Sequence, residues 1–200
     1  MRHRPVADVS ELPTYGFGSQ SPIWWGTLGF VALEGTGFAL AIGAYLYLAH
    51  LAPTWPIAPP QHDIWAATII TALLVVSAVP NLLLDRWARQ QDLRKVRFGL
   101  VVMSLFGIAP LIVRIFEFDA LTVLWDTNAY GSVVWTLLGL HTAHVVTDAV
   151  DTGVLDAILF VGPLDANRFV DIAENSLYYY FVISSWLPIY GLLYFAPRLS

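Results

Sequence analysis

Six ionisable side chains stand where the surrounding sequence is apolar: Glu34, Arg114, Glu117, His141, His144 and Asp148. In a membrane such groups cost roughly 2.5–3.5 kcal/mol each on insertion scales, so every one must be neutralised, paired or put to use. Glu34 lies in Gly29-Phe30-Val31-Ala32-Leu33-Glu34-Gly35-Thr36-Gly37, where small residues let a neighbouring helix approach closely. Two readings follow: a buried carboxyl kept neutral or hydrogen-bonded for packing, or a proton-relay or ion site.

His141, His144, Asp148 and Asp151 follow one another at i, i+3, i+7 and i+10, which puts them on one face of a helix. Imidazole and carboxylate are natural metal ligands, but two histidines on the same face of one helix cannot occupy opposite axial positions of a haem. Arg114 and Glu117, at i and i+3, are spaced for an ion pair. Arg114 could alternatively hold a lipid phosphate or a partner's carboxylate, since a guanidinium matches either with two hydrogen bonds. His50 and His62 flank a proline-rich connection and are expected to be solvated. No catalytic, cofactor-binding or metal-ligating set is assigned. The six residues are expected to serve lipid or subunit contact and buried polar packing.

What positions them is a set of apolar helices. Of 200 residues 57% are hydrophobic and only 12% charged, against about 25% charged in soluble domains. The expected class is an all-α integral membrane protein, a five-helix bundle forming one transmembrane domain over residues 1–200. Spans fall at about 23–50, 64–84, 96–118, 127–150 and 176–195, each near the roughly 20 residues that cross a bilayer. Between them lie Leu51–Asp63, with Pro53, Pro56, Pro59 and Pro60, the charged Asp85–Lys95, the short Asp119–Asp126 and the acidic Asp151–Asn175. At 1.5 Å per residue, His141 and Glu34 both lie about 15 Å from the same membrane face, so these two are expected to meet.

Basic residues orient the bundle. Arg2, Arg4, Arg86, Arg89, Arg94, Lys95, Arg97 and Arg168 fall on one side and only Arg198 on the other, which assigns the N-terminus to the cytoplasm and the C-terminus to the outside. Trp24, Trp25, Trp55, Trp65, Trp87 and Trp125 gather at span ends, where amphipathic rings are favoured. Zero cysteines exclude disulfides, thiolate zinc sites, iron-sulfur clusters and cysteine nucleophiles. A net charge of -5 excludes a general nucleic-acid-binding surface. Apolar sequence starts only near Ile23, so no signal peptide is expected. The paired helix breaks common in transporters are not evident at Pro80, Pro110 and Pro188.

Several stretches together resemble subunit III of the haem-copper terminal oxidases, over nearly the whole chain. Trp24-Trp25-Gly26, Glu34 and Ala44-Tyr45 are similar to the family's first common helix, with its central glutamate and Ala-Tyr end. Arg114-Ile115-Phe116-Glu117-Phe118 resembles Gln-x-x-Glu-Tyr. Tyr130-Gly131-Ser132 and Gly139-Leu140-His141-Thr142-Ala143-His144-Val145 resemble Tyr-Gly-Ser and Gly-Phe-His-Gly-x-His-Val. Tyr178-Tyr179-Tyr180-Phe181-Val182 and Trp186 align with Tyr-Trp-His-Phe-Val-Asp-x-x-Trp, with Tyr180 and Ile183 replacing the histidine and aspartate. Arg114 and Thr142 are further departures, and five spans rather than seven resemble the shorter bacterial form.

The resemblance implies a non-catalytic subunit in a bacterial inner membrane that packs on oxidase subunit I beside subunit II. It implies bound phospholipid, with haem and copper in the partner subunits and no cofactor in this chain, and support of proton uptake and stability during oxygen reduction. Rival readings are a small proton or ion transporter using Glu34, His141, His144 and Asp148, a metal-dependent membrane enzyme, and a subunit-III-like accessory protein of nitric oxide reductase.

Overall fold

Hydrogen-bonding side chains start most of the helices. In the computed structural model, which describes residues 15–57, 64–162 and 165–199, Ser21 accepts from the Ile23 N–H at 3.2 Å and Pro22 opens α1, Pro22–Leu51. The Asp92 carboxylate accepts from the Lys95 N–H at 3.3 Å at the start of α3, Leu93–Asp119. Asn128 accepts from the Gly131 N–H at 2.8 Å at the start of α4, Ala129–Val161. Asp165 caps α5, Ala166–Tyr190. Between the first and second of these caps runs α2, Trp65–Arg89. Arg2, Arg4, Pro59, Pro60 and His62 lie outside the described residues, and of Arg198 only the helical backbone is described.

Gly131 is required by a close approach. A Cβ there would stand 2.2 Å from the carbonyl oxygen of Leu124 and 2.8 Å from a Val123 methyl, so the loop before α4 folds back against its first turn only if no side chain intervenes.

The described residues contain no strand, and the fold is an all-α membrane bundle of five long helices. α2 packs on α3 and α5, and α4 packs on α3 and α5, closing a ring; α1 leans on α4 and α5 from outside it. Within the ring Ile70, Leu100, Leu137, Leu138, Ile172 and Trp186 are fully buried. Lipid tails are as apolar as leucine, so close packing and interhelical hydrogen bonds, not apolar burial alone, must hold such helices together. The α2–α5 seam supplies them: the Ser77 and Tyr179 hydroxyls pair at 2.7 Å, Asn81 donates to the Ser176 carbonyl at 2.9 Å, and the Trp186 indole donates to Thr71 at 2.7 Å.

α1, α2 and α3 are each long and apolar enough to cross a membrane. α4 and α5 carry the buried polar residues His141, His144, Asp148, Thr152, Glu174, Ser176 and Ser185, so their polar groups lie inside the bundle. Both are longer than hydropathy suggests. α4 runs past Val150 to Val161 and α5 starts at Ala166, ahead of Ser176, so most of the acidic connection 151–175 is helix. Tertiary partners extend them. Arg97 donates from Nη2 and Nε to the Leu159 carbonyl at 2.7 and 3.1 Å, Asn175 donates to Thr152 at 2.9 Å, and Ser104 donates to Asp156 at 3.4 Å.

Candidate functional site

The six intramembrane ionisable residues divide into two clusters. Arg114 and Glu117, each about 3% exposed, form an ion pair at 2.5 Å across one turn of α3. The second carboxylate oxygen of Glu117 accepts from the Tyr194 hydroxyl. That hydroxyl is presented by a π-helical turn, Gly191–Phe195, which continues from α5. Arg114 also reaches the Nδ1 of His141 from its Nη2 at 3.0 Å and lies over the Trp186 ring at 4.3 Å.

His141 is fixed by this arrangement. Its Nε2 lies 3.1 Å from the Val182 carbonyl, which can only accept, so Nε2 carries the proton. Nδ1 is then the acceptor for Arg114. The ring is the neutral Nε2–H tautomer with both nitrogens engaged, and it is fully buried.

One turn further along α4, His144 makes different contacts. Its Nδ1 stands 2.6 Å from the Leu140 carbonyl, one turn back in the same helix, and therefore donates. Its Nε2 meets the Glu34 carboxyl of α1. The same Glu34 oxygen accepts from the Tyr178 hydroxyl of α5 at 3.2 Å, so α1, α4 and α5 join at one carboxyl. Phe38 lies against both imidazoles, with ring centroids 4.7 Å from His144 and 6.4 Å from His141.

The expected contact between Glu34 and His141 is therefore corrected: Glu34 pairs with His144. The two histidines are three residues, or about 4.5 Å of rise, apart, a difference that helix-rise arithmetic with uncertain span ends does not resolve. Arg114 decides it by occupying His141. Asp148, about 3% exposed, is buried on the same face, and its Oδ1 has no hydrogen-bond partner among the described residues. Asp151 is exposed and lines a cavity between α1, α4 and α5. Tyr194 and Phe38, and Tyr178, which the sequence marks only as part of the Tyr178-Tyr179-Tyr180-Phe181-Val182 stretch, complete the clusters. A hydroxyl one turn after Glu174 on a polar face of α5 could have pointed to Tyr178, whereas the π-helical turn that aims Tyr194 leaves no spacing signal.

Among the described residues no three His, Asp or Glu side chains converge as metal ligands. No family model matches the chain. It is 25% identical to cytochrome c oxidase subunit 3 of Thermostichus vulcanus over 174 residues, spanning 86% of this chain and 87% of that protein. It is also 25% identical to probable cytochrome c oxidase subunit 3 proteins of Mycobacterium bovis and Mycobacterium tuberculosis over 183 residues, spanning 85% of this chain and 86% of each. Over nearly its whole length the chain is similar to cytochrome c oxidase subunit 3 proteins, at an identity that marks a distant relationship. These relatives and the long apolar helices together support a multi-pass membrane protein, an all-α membrane bundle.

Proposed function

We propose that the chain is a supporting, non-catalytic subunit of a respiratory terminal oxidase. It packs on subunit I beside subunit II in a bacterial inner membrane, with its N-terminus in the cytoplasm and its C-terminus outside. In this reading haem and copper belong to the partner subunits. The chain binds phospholipid and sustains proton uptake and stability during oxygen reduction.

The observation that carries this reading is the closure of five of the six intramembrane ionisable residues into paired sets, with the Oδ1 of Asp148 left over. Arg114, Glu117, Tyr194 and His141 form one paired set, Glu34, His144 and Tyr178 another, and Phe38 lies against the imidazoles of both. A proton path needs groups that can exchange protons in sequence, and His141 has both ring nitrogens committed. Such sets hold helices in register instead. This argues against the transporter reading, in which Glu34, His141, His144 and Asp148 would be successive stations.

Co-purification from native membranes tests the assignment. A haem- and copper-containing partner in fixed ratio is expected. Isolation as a stable, haem-free homo-oligomer that passes ions in liposomes would refute it. A C-terminal reporter active outside and silent in the cytoplasm is expected for the orientation, and the reverse pattern would overturn it.

A further inference from the structure

The Glu174 carboxyl of α5 is about 5% exposed, and neither of its oxygens has a hydrogen-bond partner among the described residues. The register of the α2–α5 seam fixes what stands near it. Ser77 meets Tyr179 and Asn81 meets Ser176, so the antiparallel pair carries Asp85 and then Arg89 past Glu174, toward the end where α2 finishes and α5 begins. These two are the charged groups of α2 that act on Glu174, Arg89 favouring its ionised form and Asp85 opposing it. From the other sides, Asp151 of α4 and Asp171 of α5 line the neighbouring cavity and add negative charge. Asp148 of α4 lies by Tyr178 and Tyr179, and Glu34 of α1 is taken by His144 and Tyr178.

Arg89 is lightly held. Its Nε donates to both carboxylate oxygens of Asp85 at 3.0 Å, but the arginine side chain is 44% exposed, where solvent screens an ion pair. The rest of the guanidinium faces the segment before α1. Its carbon lies 5.7 Å from the centroid of the Phe17 ring, and a Cβ on Gly18 would stand 3.9 Å from Nη1.

Phe17 belongs to a strap, residues 15–21, that runs into α1. Gly18 takes φ +63°, a left-handed conformation that glycine adopts freely, and the Ser21 N–H closes the turn on the Gly18 carbonyl at 2.9 Å. The Trp25 indole donates to the Ser19 carbonyl at 3.1 Å, which fixes the strap to the first turns of α1, while Phe17 packs against the buried core. The strap thus ties α1, which packs on α4 and α5, to α2 as well.

One guanidinium therefore serves a surface carboxylate and an aromatic latch while a buried carboxyl nearby goes unpartnered. Such a carboxyl is tolerated as the neutral acid; ionised, it is an unpaired buried charge, and compensating it outweighs a screened surface pair. We propose that Arg89 is a shared cation switched between Asp85 and Glu174, and that loss of the Glu174 proton to water unlatches the strap. The guanidinium then turns from Asp85 and the Phe17 ring to the Glu174 carboxylate, and α1 loses its tie to α2. This device does not depend on the oxidase assignment.

The chain has no cysteine, so two introduced ones carry nitroxide labels without interference. Gln20→Cys on the strap and Gln90→Cys at the end of α2 replace exposed residues. The distance distribution between the labels is measured on the full-length chain in detergent, from about pH 4, near the ordinary glutamate value, to about pH 9, the upper range for buried glutamates. A short, narrow distribution is expected in acid and a longer, broader one in base. Its midpoint should match the loss of a protonated-carboxyl infrared band that is missing in Glu174→Gln. Glu174→Gln should hold the strap closed throughout. Asp85→Asn, which removes the competing acceptor, should lower the midpoint by about 1 pH unit. A wild-type distribution that does not change across the range overturns the proposal, as does an opening that persists in Glu174→Gln. Should Glu174→Gln fail to fold, the Asp85→Asn midpoint decides: a fall supports the switch, and an unmoved or raised midpoint overturns it.

Discussion

His141 and His144 stand one helical turn apart on the same face of α4, yet they belong to two regions built on different terms. Around His141 every strong donor faces an acceptor: guanidinium against carboxylate and Nδ1, Nε2–H against a backbone carbonyl, phenol against carboxylate. Around His144 the pairing is thinner, and it adjoins a cavity between α1, α4 and α5. The first region is a closed knot between α3, α4 and the end of α5. The second is a junction of the loosely held α1 with α4 and α5, next to an open space. Residue type does not separate them; neighbours do.

Substitution should expose that contrast. Arg114→Met leaves Glu117 buried and uncompensated, and about 3–5 kcal/mol of stability should be lost, read as the unfolding midpoint of the chain in detergent. The pairwise replacement Arg114→Met with Glu117→Met should recover much of it, because both charges then leave together. A full loss in the double variant would mean that the knot does more than neutralise itself. His144→Asn should cost less, about 1.5–3 kcal/mol, since it removes one charge-assisted contact from a partly exposed carboxyl. An equal loss at both positions would break the comparison.

A pH effect sharpens it further. Burial pushes the Glu174 carboxyl above its ordinary range, with Arg89 pulling it down and Asp85 pushing it up. A folded-state value above the unfolded one means that the penalty is absent below the unfolded pKa of about 4.3 and grows as pH rises through the folded value. Glu174→Gln should therefore be more stable than wild type at pH 7, and the two should converge near pH 4. The smallest effect belongs to the surface. Hydrogen bonds from Lys95 hold Asp92 below its ordinary range, so its contribution is present above the unfolded pKa and fades as pH falls through the folded value. Asp92→Asn should lower the midpoint slightly at pH 7 and leave it unchanged in acid.

The class of fold was legible because hydropathy responds to the bilayer itself, which acts on every residue of a span. Intrahelical spacing was legible too: Arg114 and Glu117 need only the helix period to meet. Contacts between helices were not. Glu34 pairs with His144 and not His141 because Arg114 arrives from α3, a fact about a third element that no arithmetic on α1 and α4 contains. The ends of α4 and α5 were hidden for a related reason. Hydropathy falls at Asp151, but tertiary partners such as Arg97 on Leu159 keep the backbone helical beyond it. Tyr194 was unreadable, since a π-helical turn changes the register that aims it.

The most direct test of the supporting-subunit account is oxygen consumption followed from the first turnover in the purified oxidase complex carrying Glu34→Gln or His144→Asn. The account predicts an unchanged haem spectrum, intact initial turnovers and a modest decline during sustained activity, because these residues join helices and ligate no metal. An immediate block of oxygen reduction with the haem spectrum intact would contradict it and make the Glu34–His144 pair an obligatory proton path.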